Sequence, residues 1–201
     1  MHPRDTASSD LPIVEGIMTT LNDNGTPNIA PMGPRVDREF RFFVLRPFSS
    51  STTYKNLKRT GEGVFHVVDD VELLARAAIG GLTTPPPLLP AARVRGVVLA
   101  GACRWYELRV GELDDSSERT TIRCGVEHSG TLRECFGFNR AKHAVVEAAI
   151  LATRIGILPD DEIKSELARL AIPVEKTAGT QEREAFALLK RHVEERLARR
   201  E

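Results

Sequence analysis

The hydrophobic pattern changes character along the chain. Ile13–Thr20 is a β-branched run closed by Asn22-Asp23-Asn24-Gly25, a turn signal, and Pro27–Met32 resumes extended, which predicts a hairpin. Phe40–Leu45 predicts a third strand, broken at Arg46-Pro47, and Val64–Val68 a fourth. Between them Ser51–Arg59 reads as a short helix followed by Gly61 and Gly63. Val71–Ile79 carries apolar residues at helical spacing behind Asp69 or Asp70 as N-cap. Pro85, Pro86, Pro87 and Pro90 then form a stiff extended arm. Val94–Tyr106 contains strand-like runs, and Arg119–Val126 and Leu132–Phe138 alternate well enough for two more strands. Short strands joined by hairpin turns predict a closed β-barrel.

From Asn139 the period becomes helical. Asn139 caps a helix running to about Ile155, with Ala141, Val145, Ala148, Ala149, Ala152 and Ile155 as its apolar stripe, punctuated by Gly156 and Pro159. Asp160 caps a second, with Ile163, Leu167 and Leu170 inward and Pro173 beyond its end. Thr180 caps a third, with Phe186, Leu189, Val193 and Leu197 on one face. The last two read as an antiparallel pair added to the barrel or to a partner subunit.

Composition sharpens this division. Ten of the eleven aromatics lie between Phe40 and Phe138 and thirteen of the fifteen glycines precede Asn139, so the packed, turn-rich β core belongs in the front. A length of 201 residues suits one domain, or one with a small appendage. Lys and Arg number 28, as do Asp and Glu, so the zero net charge argues against nucleic acid or an anionic membrane gripped by bulk charge. No apolar run approaches the ~20 residues of a bilayer span, and the polar opening Met1–Asp10 has no apolar leader segment. The expectation is a cytoplasmic protein. Cys103, Cys124 and Cys135 form no CxxC pair and the five histidines no HExxH, so neither a disulfide framework nor a bound metal is expected.

Three stretches could carry chemistry. In Arg46-Pro47-Phe48-Ser49-Ser50-Ser51-Thr52-Thr53-Tyr54-Lys55-Asn56, five consecutive hydroxyls precede a helix. Hydroxyls and free amides at a helix start make a phosphate cradle, with Arg46 and Lys55 as compensating charge; a solvated loop with one Ser/Thr cap would read the same way. In Gly137-Phe138-Asn139-Arg140-Ala141-Lys142-His143, cations occupy a first turn where the macrodipole favours acids. Either a bound anion or carboxylates from elsewhere in the fold would explain Arg140 and Lys142. In Asn28-Ile29-Ala30-Pro31-Met32-Gly33-Pro34, small residues would let a flat ligand lie on the backbone; an edge strand leaving a barrel is the plainer reading. His66 alternates with Val64 and Val68, which favours a hydrogen-bonded core histidine. Glu15 is outward by alternation or a buried partner for a cation, and Trp105-Tyr106-Glu107 reads as packing. There is no Ser-His-Asp ordering, Walker loop or GxGxxG, which disfavours a P-loop enzyme or a Rossmann dehydrogenase.

The order of these segments resembles the FMN-binding split-barrel group, the flavin reductase-like and pyridoxamine-phosphate-oxidase-like proteins. Ile17-Met18-Thr19-Thr20, Asn24-Gly25-Thr26-Pro27-Asn28, Ala30-Pro31-Met32-Gly33, Ser51-x-Thr53-x-x-Asn56-Leu57 and Gly63–Val68 carry it. Within the group, Tyr54-Lys55-Asn56-Leu57, Gly137–Lys142 and Glu147–Arg154 look most like a small uncharacterised family. The resemblance implies an α+β fold over residues 11–156, a six-stranded antiparallel split β-barrel with flanking helices, to which the helical period adds a C-terminal helical hairpin over 157–201. It implies a homodimer with FMN at the subunit interface and a small-molecule electron donor or acceptor as partner. Mapped here, Ala30, Pro31, Met32 and Gly33 face the flavin ring, and Ser51, Thr52, Thr53 and Asn56 hold the phosphate and ribityl chain. Arg140 and Lys142 are candidates for charge beside the ring or the phosphate. No catalytic side chain is identified, and hydride chemistry on a flavin needs no dedicated acid or base. The reaction expected is flavin-dependent oxidoreduction. The alternatives are a flavin carrier without turnover and a cofactor-less split-barrel dimer serving in protein interaction. The proline arm and the long helical tail depart from typical flavin reductases.

Overall fold

The computed structural model describes residues 10–200, so all but Asp10 of the polar opening segment Met1–Asp10 lies outside the described residues. Two compact units emerge, one of residues up to Val68 with Pro86–Glu134, the other of Asp69–Pro85 with Cys135 onward.

The first unit is an antiparallel sheet. Strand β1 (Gly16–Leu21) turns through Asn22–Gly25 into β2 (Pro27–Met32), with Gly16 opposite Met32 and Leu21 opposite Pro27. Gly25 sits at φ 79°, and the Asn24 side chain accepts from the Thr26 amide. Then come β3 (Arg35–Val36), β4 (Phe42–Leu45), helix α1 (Thr52–Thr60) and β5 (Glu62–Val67). Further along are β6 (Leu88–Pro90), β7 (Val97–Leu99), β8 (Arg104–Asp114) and β9 (Thr121–Thr131). The large sheet has seven strands in the order β2-β1-β5-β8-β9-β4-β3, and β6 pairs with β7 separately. Ile13 bridges Arg35, and the Val14 amide donates to the Pro34 carbonyl. The segment entering β1 thus pairs with β3, curling the sheet back on itself as a split barrel. The expected architecture holds, with one more strand than the six expected. Its core is aromatic: Phe43 lies 5.3 Å from Phe65 and 5.2 Å from Tyr106, and Phe40 stacks on Tyr106.

The second unit is helical: α2 (Val71–Ala78), α3 (Arg140–Ala152), α4 (Asp160–Thr177) and α5 (Thr180–Ala198). The predicted faces are the buried ones: Ala141, Val145, Ala148, Ala149 and Ala152 on α3, and Phe186, Leu189, Val193 and Leu197 on α5. Alanines allow the close approach of α3 to both α4 and α5.

Several local expectations need correction. Leu132–Phe138 is not a strand. The β8–β9 hairpin ends at Thr131, and the alternating residues beyond it find no sheet partner, leaving Phe136 and Phe138 exposed. β3 escapes sequence reading because a two-residue strand behind Pro34 carries no period. The proline arm ends in strand β6. Pro173 lies inside α4, where it forfeits one amide but the helix continues to Thr177. The caps of α4 and α5 fall one residue earlier, at Pro159 and Gly179. Helices α2 and α3 pack with α4 and α5 in the second unit.

Candidate functional site

β2 is the edge strand of the sheet, with β1 as its one neighbour. Ala30, Pro31, Met32 and Gly33 all lie on it or just past it, half-buried. Pro27 and Pro31 have no amide to offer a second neighbour, which suits an edge. Gly33 is tight: a Cβ there would stand 2.7 Å from Glu15 Oε1 and 3.0 Å from Ile13 Cγ2. Glu15 is the outward-facing, exposed residue of the two readings.

Helix α1 starts beside this strand. The Ser51 hydroxyl accepts from the Tyr54 amide at 3.2 Å as N-cap, and no acid occupies the first turn. Thr53 accepts from Asn28 Nδ2 at 3.1 Å, tying α1 to β2. Asn56 donates to Thr20 Oγ1 and Asn22 Oδ1, both at 3.0 Å. Thr53 and Asn56 are buried and spend their side chains on this junction. At the other side of the helix the Tyr54 hydroxyl donates to Asp115 at 2.6 Å, and Lys58 reaches the same carboxylate. The exposed Thr52 and Lys55 face solvent, and no acceptor stands by the Thr52 and Thr53 amides among the described residues. Two free amides, the Ser51 and Thr52 hydroxyls and the Lys55 cation in the first turn are the kind of donors a dianionic phosphate requires. The residues present fit such a group.

His66 is the core histidine expected. It is fully buried, with Nδ1 3.0 Å from the Ile17 carbonyl, and its Nε2 accepts from the Leu99 amide at 3.0 Å. Those partners assign the proton to Nδ1. Burial outweighs the Ile17 contact and pushes the imidazole down to about 4, so it is a neutral cross-link between β1, β5 and β7.

Arg140 and Lys142 open α3 in the second unit, behind the Asn139 side chain, which accepts from the Lys142 amide at 3.0 Å. Arg140 is exposed. Lys142 meets a carboxylate, the alternative the sequence left open: its Nζ stands 2.8 Å from Glu182 and donates to the Asp69 carbonyl at 2.8 Å. Burial raises the Glu182 carboxyl, but the Lys142 ammonium and the Gly179 amide outweigh it and hold the group below the usual carboxylate range.

Sequence reading missed three residues. Arg35 and Arg119 line one cavity together with Arg46, although only Arg46 sits in a conspicuous motif. Glu107 is fully buried and accepts from the amides of Ala92, Arg93 and Val94 at 2.8, 2.6 and 3.0 Å. Alternation alone put it on the Trp105-Tyr106-Glu107 strand without revealing the loop it holds. Among the described residues, no cluster of His, Cys, Asp or Glu could hold a metal, and no helix is long and apolar enough to cross a membrane.

Residues 14–133 match the N-terminal domain model of a family of proteins of unknown function, DUF447, and residues 139–191 match a second DUF447 model. The two matches meet close to the 134/135 division of the units. No curated protein matches the chain. Among solved structures, an FMN-bound DUF447 protein of Methanosarcina mazei superposes with a TM-score of 0.78 at 22% identity, covering 90% of this chain and 95% of its own. A 2-nitrobenzoate 2-nitroreductase of Pseudomonas fluorescens gives 0.51 at 19% identity, over 62% of this chain and 67% of its own. An NADH:FAD oxidoreductase of Streptomyces globisporus gives 0.50 at 12% identity, over 61% and 72%.

Proposed function

We infer that this chain, which belongs to the DUF447 family, binds FMN and uses it for two-electron chemistry on a small molecule. The observation that carries this reading is the FMN-bound family member from Methanosarcina mazei, matched along nearly the whole length of both chains. The nitroreductase and NADH:FAD oxidoreductase likenesses agree with a flavin barrel at the level of fold.

The donor set at α1 supports it. The Thr52 and Thr53 amides with the Ser51 and Thr52 hydroxyls hold the phosphate, and Thr53 and Asn56 act one step back by locking α1 against β1 and β2. Ala30–Gly33 at the sheet edge present a flat backbone to the ring, small at Gly33 because Glu15 leaves no room for a side chain. When bound, FMN supplies the hydride exchange, so the chain's own task is to bind, orient and exclude water. Arg140 is the exposed cation available to the flavin's electron-rich edge from a second subunit of a homodimer, with Lys142 shaping that helix start through Glu182.

The visible spectrum of the purified protein tests the cofactor, and anaerobic mixing with NADH and NADPH tests turnover. Bound flavin that bleaches supports the oxidoreductase, flavin that never bleaches with either donor favours a carrier, and a colourless protein that FMN titration leaves unchanged refutes both. Thr52→Ala is expected to weaken FMN about tenfold, one charge-assisted hydrogen bond, while leaving riboflavin affinity unchanged. Equal weakening of both flavins would overturn the phosphate assignment.

A further inference from the structure

We propose that a cavity of about 280 Å³, lined by Ile13, Gly33, Val44, Arg35, Arg46 and Arg119, binds a small oxyanion, a carboxylate or phosphate group. The β3–β4 hairpin and a segment some seventy residues further along assemble its arginines. Arg35 lies on β3 opposite Val44, Arg46 directly follows β4, and Arg119 bridges Phe48 just ahead of β9.

The charge balance is one-sided. No ion pair or side-chain hydrogen bond reaches Arg35 or Arg46 among the described residues. Arg35 Nε is buried with no hydrogen-bond partner. A guanidinium N–H can only donate, and a buried donor left unpaired is costly. Arg119 is held in place, its guanidinium 4.7 Å from the Phe48 ring centroid. The neighbouring acid is Glu15, whose carboxylate packs over the Gly33 wall. Arg35 and Arg46, which no ion pair reaches among the described residues, leave room for an anion. Planar guanidinium forks match the two oxygens of a carboxylate or phosphate. The volume lies just below the range of about 300–1,000 Å³ for drug-sized ligands, so it suits one anionic group on a short apolar stem, which Ile13 and Val44 would flank.

The site stands whether or not the flavin reading holds, and two sources share its chemistry: the phosphate of FMN itself, or the anionic group of a second small molecule. The probe is inorganic phosphate, titrated calorimetrically into flavin-free protein in dilute chloride buffer. Saturable binding is expected, weakened at least about tenfold by Arg35→Gln and by Arg46→Gln, and untouched by Lys190→Gln on α5, which controls for bulk charge. Absence of saturable binding, wild-type binding in both variants, or equal loss in Lys190→Gln would each overturn the proposal. Arg46 is exposed, so Arg46→Gln decides the matter if Arg35→Gln fails to fold. Titrating FMN and riboflavin then separates the sources. If the variants weaken FMN but spare riboflavin, and FMN expels phosphate, the anion is the flavin's and the phosphate assignment at α1 falls. If phosphate and FMN bind together and the variants spare both flavins, the anion belongs to a second molecule.

Discussion

His66 offers the sharpest test of the barrel's packing, through pH. The side chain is buried and neutral, and burial pushes its pKa down from 6.5 to about 4. Above pH 6.5 neither the folded nor the unfolded chain protonates it, so its contribution to stability is whole. Below 6.5 the unfolded chain takes up the proton first, and stability drains until the folded imidazole also protonates near pH 4. The shift corresponds to about 2 kcal/mol already lost at pH 5. His66→Phe removes the titration. It also strands the Leu99 amide and loses the contact to the Ile17 carbonyl, for a cost of about 2–4 kcal/mol at pH 7.5. Urea unfolding of both proteins at pH 7.5 and pH 5 separates the terms, because carboxylates common to both cancel in the difference. The stability gap between wild type and variant should shrink by about 2 kcal/mol at the lower pH. A gap that stays constant between the two would refute a neutral, desolvated His66.

Two further buried groups make comparable predictions. Lys142→Met leaves Glu182 as a poorly solvated charge and should cost about 2–3 kcal/mol in urea unfolding. Lys142→Met combined with Glu182→Gln should cost less than the sum of the singles, and strict additivity would mean the pair is not coupled. The wild-type pair should also weaken as pH falls into the carboxylate range, since Glu182 is held below its ordinary value and must be protonated there. Glu107→Gln keeps the shape but replaces one of two charged acceptor oxygens by a donor. Hydrogen exchange at the Ala92, Arg93 and Val94 amides should rise at least tenfold, and unchanged protection would show that the loop does not depend on the carboxylate.

The elements that sequence reading placed well are those whose signal is local. The β1–β2 hairpin is written in Asn22–Gly25, because few sequences satisfy the positive φ at Gly25. Helix α1 is bracketed by its Ser51 cap and by Gly61 in the left-handed region, and α3 by Asn139. The α5 face follows from helical period alone. His66 was legible because a lone imidazole between Val64 and Val68 has few affordable environments. The hydroxyl run at α1 was legible too, but not its division of labour: Thr53 and Asn56 face the sheet while Thr52 faces out, a distinction set by how α1 packs on β1 and β2.

Strand count and cavity were beyond such reading. A two-residue β3 exists because the strand β4 beside it and the segment at Ile13 hold it, not because Arg35-Val36 prefers to be extended. Conversely, Leu132–Phe138 has the alternation of a strand and no neighbour to pair with. Neither Glu107, on a stretch that reads as packing, nor Glu182 shows its partners until tertiary structure supplies three amides to one and an ammonium to the other. By itself the sequence determined a neutral chain with a turn-rich β front, a helical rear, and hydroxyls and amides gathered at one helix start, because caps, turns and periodicity act over a few residues. Only the tertiary structure decided that Arg35, Arg46 and Arg119 share one cavity, because antiparallel register, not proximity along the chain, brings such distant positions together.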